Sequence, residues 1–149
     1  MEKIFLAFDK KDCMGCHACE VACKQEHELG VGPRLVRVIE KFSDYIPVYC
    51  HHCAKAPCKD ACPAEAISRT AQGIVLIDND LCIGCRECVD ACPFGAMQYS
   101  DDKDVAVKCD LCIDRLTEGK GTACMSVCPT GCINLGGKKS IAAVFEITA

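Results

Sequence analysis

Tryptophan is absent from this chain, and all aromatics together make up only 5% of its 149 residues. Large flat packing units are therefore scarce, and the 50% hydrophobic tally is inflated by cysteine. With the 17 cysteines set aside, the remainder is thin for a conventional core. A domain this small then needs staples, either disulfides or metal. Long apolar runs are missing too: no window reaches the ~18 to 20 apolar residues that span a bilayer. The start, MEKIFLAFDKKDC, has neither a signal-peptide run nor a twin-arginine pair. These absences predict a cytoplasmic address and no direct membrane span, and a reducing cytosol disfavours a disulfide framework. An excess of basic charge is also missing. The formal charge is −4 with thiols counted neutral, which argues against nucleic acid as a partner. Finally there is no P-loop, no G-x-G-x-x-G and no nucleophile paired with a base, so no catalytic constellation is visible.

What the chain has is cysteine in a pattern. Sixteen of the 17 fall into four groups of four: Cys13, Cys16, Cys19, Cys23; Cys50, Cys53, Cys58, Cys62; Cys82, Cys85, Cys88, Cys92; and Cys109, Cys112, Cys124, Cys128. Three groups end in Cys-Pro, and the third, CIGCRECVDACP, has the bacterial ferredoxin spacing C-x2-C-x2-C-x3-C-P without a deviation. Two intervening residues let neighbouring thiolates reach adjacent irons of a cubane from one tight loop. Gly15 and Gly84, each just before a cysteine, allow positive φ and close backbone approach. Backbone N–H groups aimed at the sulfurs then favour the reduced, more negative state of a cluster. The fourth cysteine of such a run serves the other cluster of a pair, so the groups must work two by two. Zinc is the rival, because C-x2-C pairs also build four-thiolate tetrahedral sites. The third cysteine at x2 spacing and the repeated Cys-Pro favour four 4Fe–4S clusters. Ligand thiols bind deprotonated, so each oxidised cubane adds about −2 and the loaded chain carries roughly −12. A basic docking face on a larger subunit suits that charge.

The elements between the groups repeat as well. AEAISRTAQGIVLIDNDLC and FGAMQYSDDKDVAVKC each predict strand, turn and strand, with Ile74 to Ile77 the clearest case. Strands are also predicted at Lys3 to Phe8, Leu35 to Ile39 and Ile141 to Ile147. Three residues between the last two cysteines put them one helical turn apart. Short helices are therefore expected at Cys19–Cys23, Cys58–Cys62, Cys88–Cys92 and Cys124–Cys128. Pro63, Pro93 and Pro129 should stop three of them, while group one has Lys24 there instead. The segment Ile113 to Ala123, with DRLTEGKGTA, predicts a charged surface insertion. His17 and His27 are expected in loops and on the surface, as are Lys10, Lys11, Lys138, Lys139, Arg115 and Lys120. His51 and His52 lie among filled ligand positions, so cluster-side hydrogen bonding is expected of them. Cys132 is expected to be a small buried hydrophobe, not a ligand.

With these motifs the chain resembles the four-cluster iron–sulfur subunits of molybdenum and tungsten pterin oxidoreductases, of the dimethyl sulfoxide reductase, polysulfide reductase and formate dehydrogenase type. The similar polyferredoxins of hydrogenases and carbon monoxide dehydrogenase belong with them. The resemblance spans roughly residues 3 to 136 and is sharpest in CHHCAKAPCKDACP, with Pro57 in its x4 gap, and in CDLCIDR…ACMSVCPTG. It implies an α+β fold of two nested ferredoxin-like halves with short hairpins and short helices. The outer half would take residues 1–33 and 103–149, the inner half 45–102, with 34–44 crossing between them. It implies four ligand sets: Cys13, Cys16, Cys19 and Cys128; Cys109, Cys112, Cys124 and Cys23; Cys50, Cys53, Cys58 and Cys92; Cys82, Cys85, Cys88 and Cys62. All sixteen positions are cysteine here, so four full cubanes are implied. The chain is shorter than many such subunits and lacks their long C-terminal extension.

The resemblance further implies a non-catalytic electron-transfer subunit bound to a large catalytic metalloenzyme chain, a tungsten or molybdenum pterin aldehyde or formate oxidoreductase being favoured. A flavin- or NAD-linked subunit or a soluble ferredoxin would stand at the other end. The alternatives are a free polyferredoxin, the corresponding subunit of a hydrogenase or carbon monoxide dehydrogenase, and a maturation factor.

Overall fold

The computed structural model describes residues 3–136. In chain order the elements are β1 (Phe5–Phe8), α1 (Ala18–Glu26), β2 (Val36–Lys41), β3 (Asp44–Tyr49), α2 (Pro57–Ala61), β4 (Ile67–Arg69) and β5 (Val75–Ile77). Then follow α3 (Glu87–Ala91), β6 (Gln98–Ser100), β7 (Val105–Val107), α4 (Ile113–Thr117), α5 (Ala123–Val127) and β8 (Ile133–Gly136). The strands form only two-stranded antiparallel pairs: β2 with β3, β4 with β5, β6 with β7, and β1 with β8. Two-stranded ribbons are marginal alone, so these depend on what packs against them. The β1–β8 pair sets Phe5 opposite Gly136 and Phe8 opposite Ile133, tying the first described strand to the last.

The helices sit where the cysteine spacing predicts. Proline decides their lengths. In α2, α3 and α5 the cysteine before proline is already extended: Cys62 at φ −78° and ψ 111°, Cys92 at −74° and 114°, Cys128 at −66° and 115°. Proline's ring disfavours helix at the residue before it. With Lys24 in place of proline, α1 runs on past Cys23 to Glu26, nine residues against five in the others. Helix α1 packs on α5, and α2 on α3.

Three differences from expectation have physical reasons. The strand expected at Leu35 to Ile39 is present as β2, and it pairs along its whole length with an unexpected strand, β3, Val36 opposite Tyr49 and Lys41 opposite Asp44. Pro47 hides β3 from a reading of the sequence, yet Pro is tolerated in an edge strand. The 113–123 segment is not wholly surface either. It forms α4, whose Leu116 is fully buried, while Glu118 and Lys120 face solvent and pair at 2.6 Å. Arg115, expected on the surface, is largely covered and donates to Gly121 O at 2.8 Å, Ser126 Oγ at 3.3 Å and Glu26 at 3.4 Å. The Ile141 to Ile147 strand and Lys138–Lys139 lie outside the described residues. Lys10 and Lys11 are exposed.

Burial follows the composition. Among the described residues no Phe or Tyr is fully buried, and the core is aliphatic side chains and cysteine. One buried set gathers Leu6, Val38, Ile74, Leu111, Leu116 and Ile133 around Cys19, Cys23 and Cys124. The other, smaller set holds Ile67, Val75, Met97 and Ala106 around Cys88. Ile74, Leu111 and Leu116 have no exposed surface, and each such side chain contributes roughly 1.5–3 kcal/mol. Cys19, Cys23, Cys88, Cys112, Cys124 and Cys132 are thus part of the core instead of lying on top of it.

Candidate metal centres

Each cysteine loop uses the same backbone device. The residue before the second cysteine has positive φ in all four groups: Gly15 at 71°, His52 at 46°, Gly84 at 73° and Leu111 at 58°. Glycine takes this conformation freely, whereas His52 and Leu111 are held in it, both with no exposed surface. In groups one and three the residue after the second cysteine repeats the turn, His17 at 59° and Arg86 at 65°. The chain therefore winds around each set of sulfurs and turns N–H groups toward them. His52 N donates to Cys50 Sγ at 3.4 Å and Leu111 N to Cys109 Sγ at 3.4 Å. After the helices, Ala66 N donates to Cys62 Sγ at 3.3 Å and Ala96 N to Cys92 Sγ at 3.4 Å.

Three apolar hollows open among the sulfurs. The first is lined by Cys50, Cys53, Cys58 and Cys92, with Pro57, Val75, Met97 and Lys108. The second is lined by Cys62, Cys82, Cys85 and Cys88, with Ile67, Ile77 and Ala106. The third is lined by Cys13, Cys16, Cys19 and Cys128, with Phe8, Val38, Ile133 and Cys132. In each, three cysteines of one group meet the last cysteine of another. The remaining thiols also meet: Cys23 stands close enough to Cys112 and Cys124 for them to raise its pKa.

Electrostatics show what these thiols require. Burial, then Glu20 and Cys124, push Cys19 up to about 12. Burial, then Cys112 and Cys124, do the same to Cys23. Cys88 is pushed up to about 11 by burial and by Cys82 and Cys85, and Cys112 to about 11 by burial. Cys109 is raised well above its ordinary value by burial. Cys128 is the exception. Against the push of burial, hydrogen bonds from Thr130 and Cys132 bring it down to about 7. Crowded, desolvated thiolates are stable only with a strongly cationic group among them.

The donor set fits a cubane better than a lone ion. Zinc sits about 2.3 Å from its sulfurs and draws four of them into a tight tetrahedron. Each hollow gathers four thiols from two groups within apolar walls, and those thiols stand at ferredoxin spacing, which a lone tetrahedral ion does not require. A further sign is His52. Its Nδ1 accepts from Val75 N at 3.0 Å, which leaves the proton on Nε2. Burial, then Lys108 and Lys3, lower its pKa to about 3, so the ring is neutral. That buried Nε2–H has no partner among the described residues. An acceptor that the protein does not supply, such as a cluster sulfide, fits this orphan donor.

Other residues stand elsewhere than expected. His51, expected to hydrogen-bond beside a cluster, stacks between Tyr49 and Phe94, at 5.0 and 4.1 Å, where it lines the first hollow. His27, expected on the surface, turns inward: its Nε2 lies 3.5 Å from Cys112 Sγ and 3.4 Å from Asp110. His17 is half-exposed as expected and meets Glu20 at 2.5 Å. Cys132 is buried at 3% exposure, with Sγ 3.5 Å from Cys128 Sγ. Glu20 escapes sequence reasoning. Its carboxylate is buried and accepts from Val38 N at 3.0 Å and Arg34 at 3.2 Å, pinning α1 to β2. Thr122 and Lys108 escape as well. Thr122 caps α5 by accepting from Met125 N at 3.4 Å and touches Cys124 Sγ at 3.3 Å. Only its place just ahead of the Ala123–Cys124 turn could signal the cap.

Comparison with known proteins agrees. A profile of the 4Fe-4S dicluster domain matches residues 41–138, and one of a 4Fe-4S binding domain matches residues 10–26. The chain is 42% identical over 139 residues to the thiosulfate reductase electron transfer subunit PhsB of Salmonella typhi, covering 86% of this chain and 72% of that one. It is 36% identical over 144 residues to the B subunit of the anaerobic dimethyl sulfoxide reductase of Escherichia coli K12, covering 86% and 70%. Against the formate dehydrogenase iron-sulfur subunit of Wolinella succinogenes the identity is 39% over 87 residues, covering 54% and 44%. The chain belongs to the 4Fe–4S dicluster family, together with the electron-transfer subunits of thiosulfate and dimethyl sulfoxide reductases, and its own role is to carry electrons, not to catalyse.

Proposed function

We propose that this chain holds four 4Fe–4S clusters in two nested ferredoxin-like halves and carries electrons between a molybdenum or tungsten pterin subunit and a second redox partner. The observation that carries this reading is the mixed lining of the hollows, three cysteines from one group and the last from another. The ligand sets would be Cys13, Cys16, Cys19, Cys128; Cys109, Cys112, Cys124, Cys23; Cys50, Cys53, Cys58, Cys92; and Cys82, Cys85, Cys88, Cys62. Packing of α1 on α5, pairing of β1 with β8, and packing of α2 on α3 support an outer and an inner half. When bound, each cluster takes up and gives back single electrons.

The chain's own residues arrange the four sites and insulate them. Thiols of successive sets lie near enough to raise one another's pKa: Cys124 acts on Cys19, Cys50 on Cys109, and Cys58 on Cys88. The sites would then follow one another in a line. Cys16 and Cys85, the exposed cysteines, belong to the two end sites, while the middle thiols are covered. Partners would meet the chain at these two ends. Aliphatic walls exclude water, and N–H groups at Cys50, Cys62, Cys92 and Cys109 favour added negative charge. Among the described residues no helix is long and apolar enough to cross a membrane, and we place the chain in the cytoplasm.

Anaerobic size-exclusion of the native protein tests the partnership. Co-elution with a large chain containing molybdenum or tungsten is expected, with the chain's clusters reduced on adding the large chain's substrate. Elution of the loaded chain by itself would mean a free polyferredoxin. Co-elution with a nickel enzyme would point to a hydrogenase or carbon monoxide dehydrogenase.

A further inference from the structure

Lys108 is the sole lysine or arginine buried among the described residues, at 6% exposure. No carboxylate pairs with it there. Its Nζ donates to Val75 O and, at 2.8 Å, to Cys109 O. A buried ammonium with carbonyls alone around it is expensive, and such groups are found paired with an anion. The candidate anions are sulfurs. Lys108 lines the hollow of Cys50, Cys53, Cys58 and Cys92. Its neighbour in the chain is Cys109, which belongs to a different set. The lysine thus stands at the seam between two sites, one in each proposed half.

We propose that Lys108 is a positioning residue that supplies one fixed positive charge to two cluster sites at once, holding both at a higher potential than they would otherwise have. The two are the set with Cys50, Cys53, Cys58 and Cys92 and the set with Cys109, Cys112, Cys124 and Cys23. This rests on the four-cluster reading above. Reduction adds one electron, hence one negative charge, to a site, and a nearby buried cation favours the reduced state. The two end sites, with their exposed Cys16 and Cys85, are next to solvent, and Lys108 lines neither of their hollows. The covered middle of the line is thereby kept reducible without a charged partner from outside.

The test uses the intact loaded protein and redox titration followed by electron paramagnetic resonance, with iron content measured in parallel. Lys108→Gln keeps an amide donor for the two carbonyls but removes the charge, and Lys108→Arg keeps the charge. In the Gln variant two of the four midpoint potentials are expected to move to more negative values and two to stay. In the Arg variant all four should remain near wild type. Four unmoved potentials in a fully loaded Gln variant would overturn the proposal, as would four potentials moving together. If the Gln variant fails to load, loss of iron from two sites with the other two retained supports the shared charge, and loss from all four contradicts it. Wild-type iron content and the number of reducible signals report separately on the four-cluster reading. A wild type without four reducible clusters would sink that reading, not the placement of the charge alone.

Discussion

At the residue just before each second cysteine, the chain needs a left-handed backbone, and it meets the need in two ways. Gly15 and Gly84 adopt it without strain, and both announce themselves in the sequence. His52 and Leu111 occupy the matching positions under strain, which their complete burial sustains. Sequence alone does not show that His52 and Leu111 share the turn of the glycines, because neither residue type favours it. At Gly15 space is as tight as conformation: an added Cβ would run into the ring of Tyr45 on β3. Gly15→Ala should therefore cost about 1–3 kcal/mol through φ strain and displacement of Tyr45. Anaerobic thermal denaturation followed at the cluster absorbance should show the lower midpoint, and an unchanged midpoint would mean that the loop readjusts freely. Residues whose roles depend on distant partners stay hidden. Glu20 reads as an ordinary polar helix position until Arg34 and Val38 come to meet it. Lys108 reads as surface charge until β5 covers it.

At the scale of elements the sequence is legible wherever local rules act alone. The four cysteine helices follow from three-residue spacing, and the two inner hairpins follow from alternating β-branched runs around polar turns. Proline sets where α2, α3 and α5 stop, because its ring acts on the residue before it. The strand β3 is not legible because Pro47 interrupts its pattern, and helix α4 is not because the burial of Leu116 comes from segments far along the chain. Capping gives a test at this scale. Helix α5 has five residues and a single side-chain cap, Thr122 Oγ1 accepting from Met125 N. Thr122→Ala should cost about 1 kcal/mol or somewhat more, since the side chain is buried and also touches Cys124. Thr122→Ser, which keeps the oxygen, should restore most of it. A deficit equal in both variants, read from the anaerobic thermal midpoint, would show that the threonine methyl, and not the cap, matters.

For the molecule as a whole, the question is how four cysteine groups share clusters. Spacing says that groups work in pairs, but it does not say which pairs. The resemblance to four-cluster subunits supplies the nested answer, and the mixed linings of the three hollows support it. A nested chain ties its ends together before either outer cluster is complete, and the β1–β8 pair suits that requirement. Exchange of Cys128 for Ser separates nesting from a tandem order. Because Cys132 Sγ lies 3.5 Å from Cys128 Sγ, the exchange belongs in a Cys132→Ala background, where no neighbouring thiol can take over. Nesting predicts that the cluster held with Cys13, Cys16 and Cys19 is altered and the group-three cluster spared, as read from electron paramagnetic resonance of the reduced variant. Damage confined to the group-three cluster would mean a tandem chain.

Beneath all of this lies the claim that sixteen cysteine thiols are arranged for iron and sulfide. Five of them are buried, burial disfavours the charged forms of Cys19, Cys23, Cys88, Cys109 and Cys112, and twelve of the sixteen wall three apolar hollows of mixed lining. Anaerobic determination of iron, acid-labile sulfide and zinc in the native protein addresses that claim directly. Four cubanes predict about 16 iron and about 16 sulfide per chain. About four zinc per chain, with little iron and no sulfide, would contradict it.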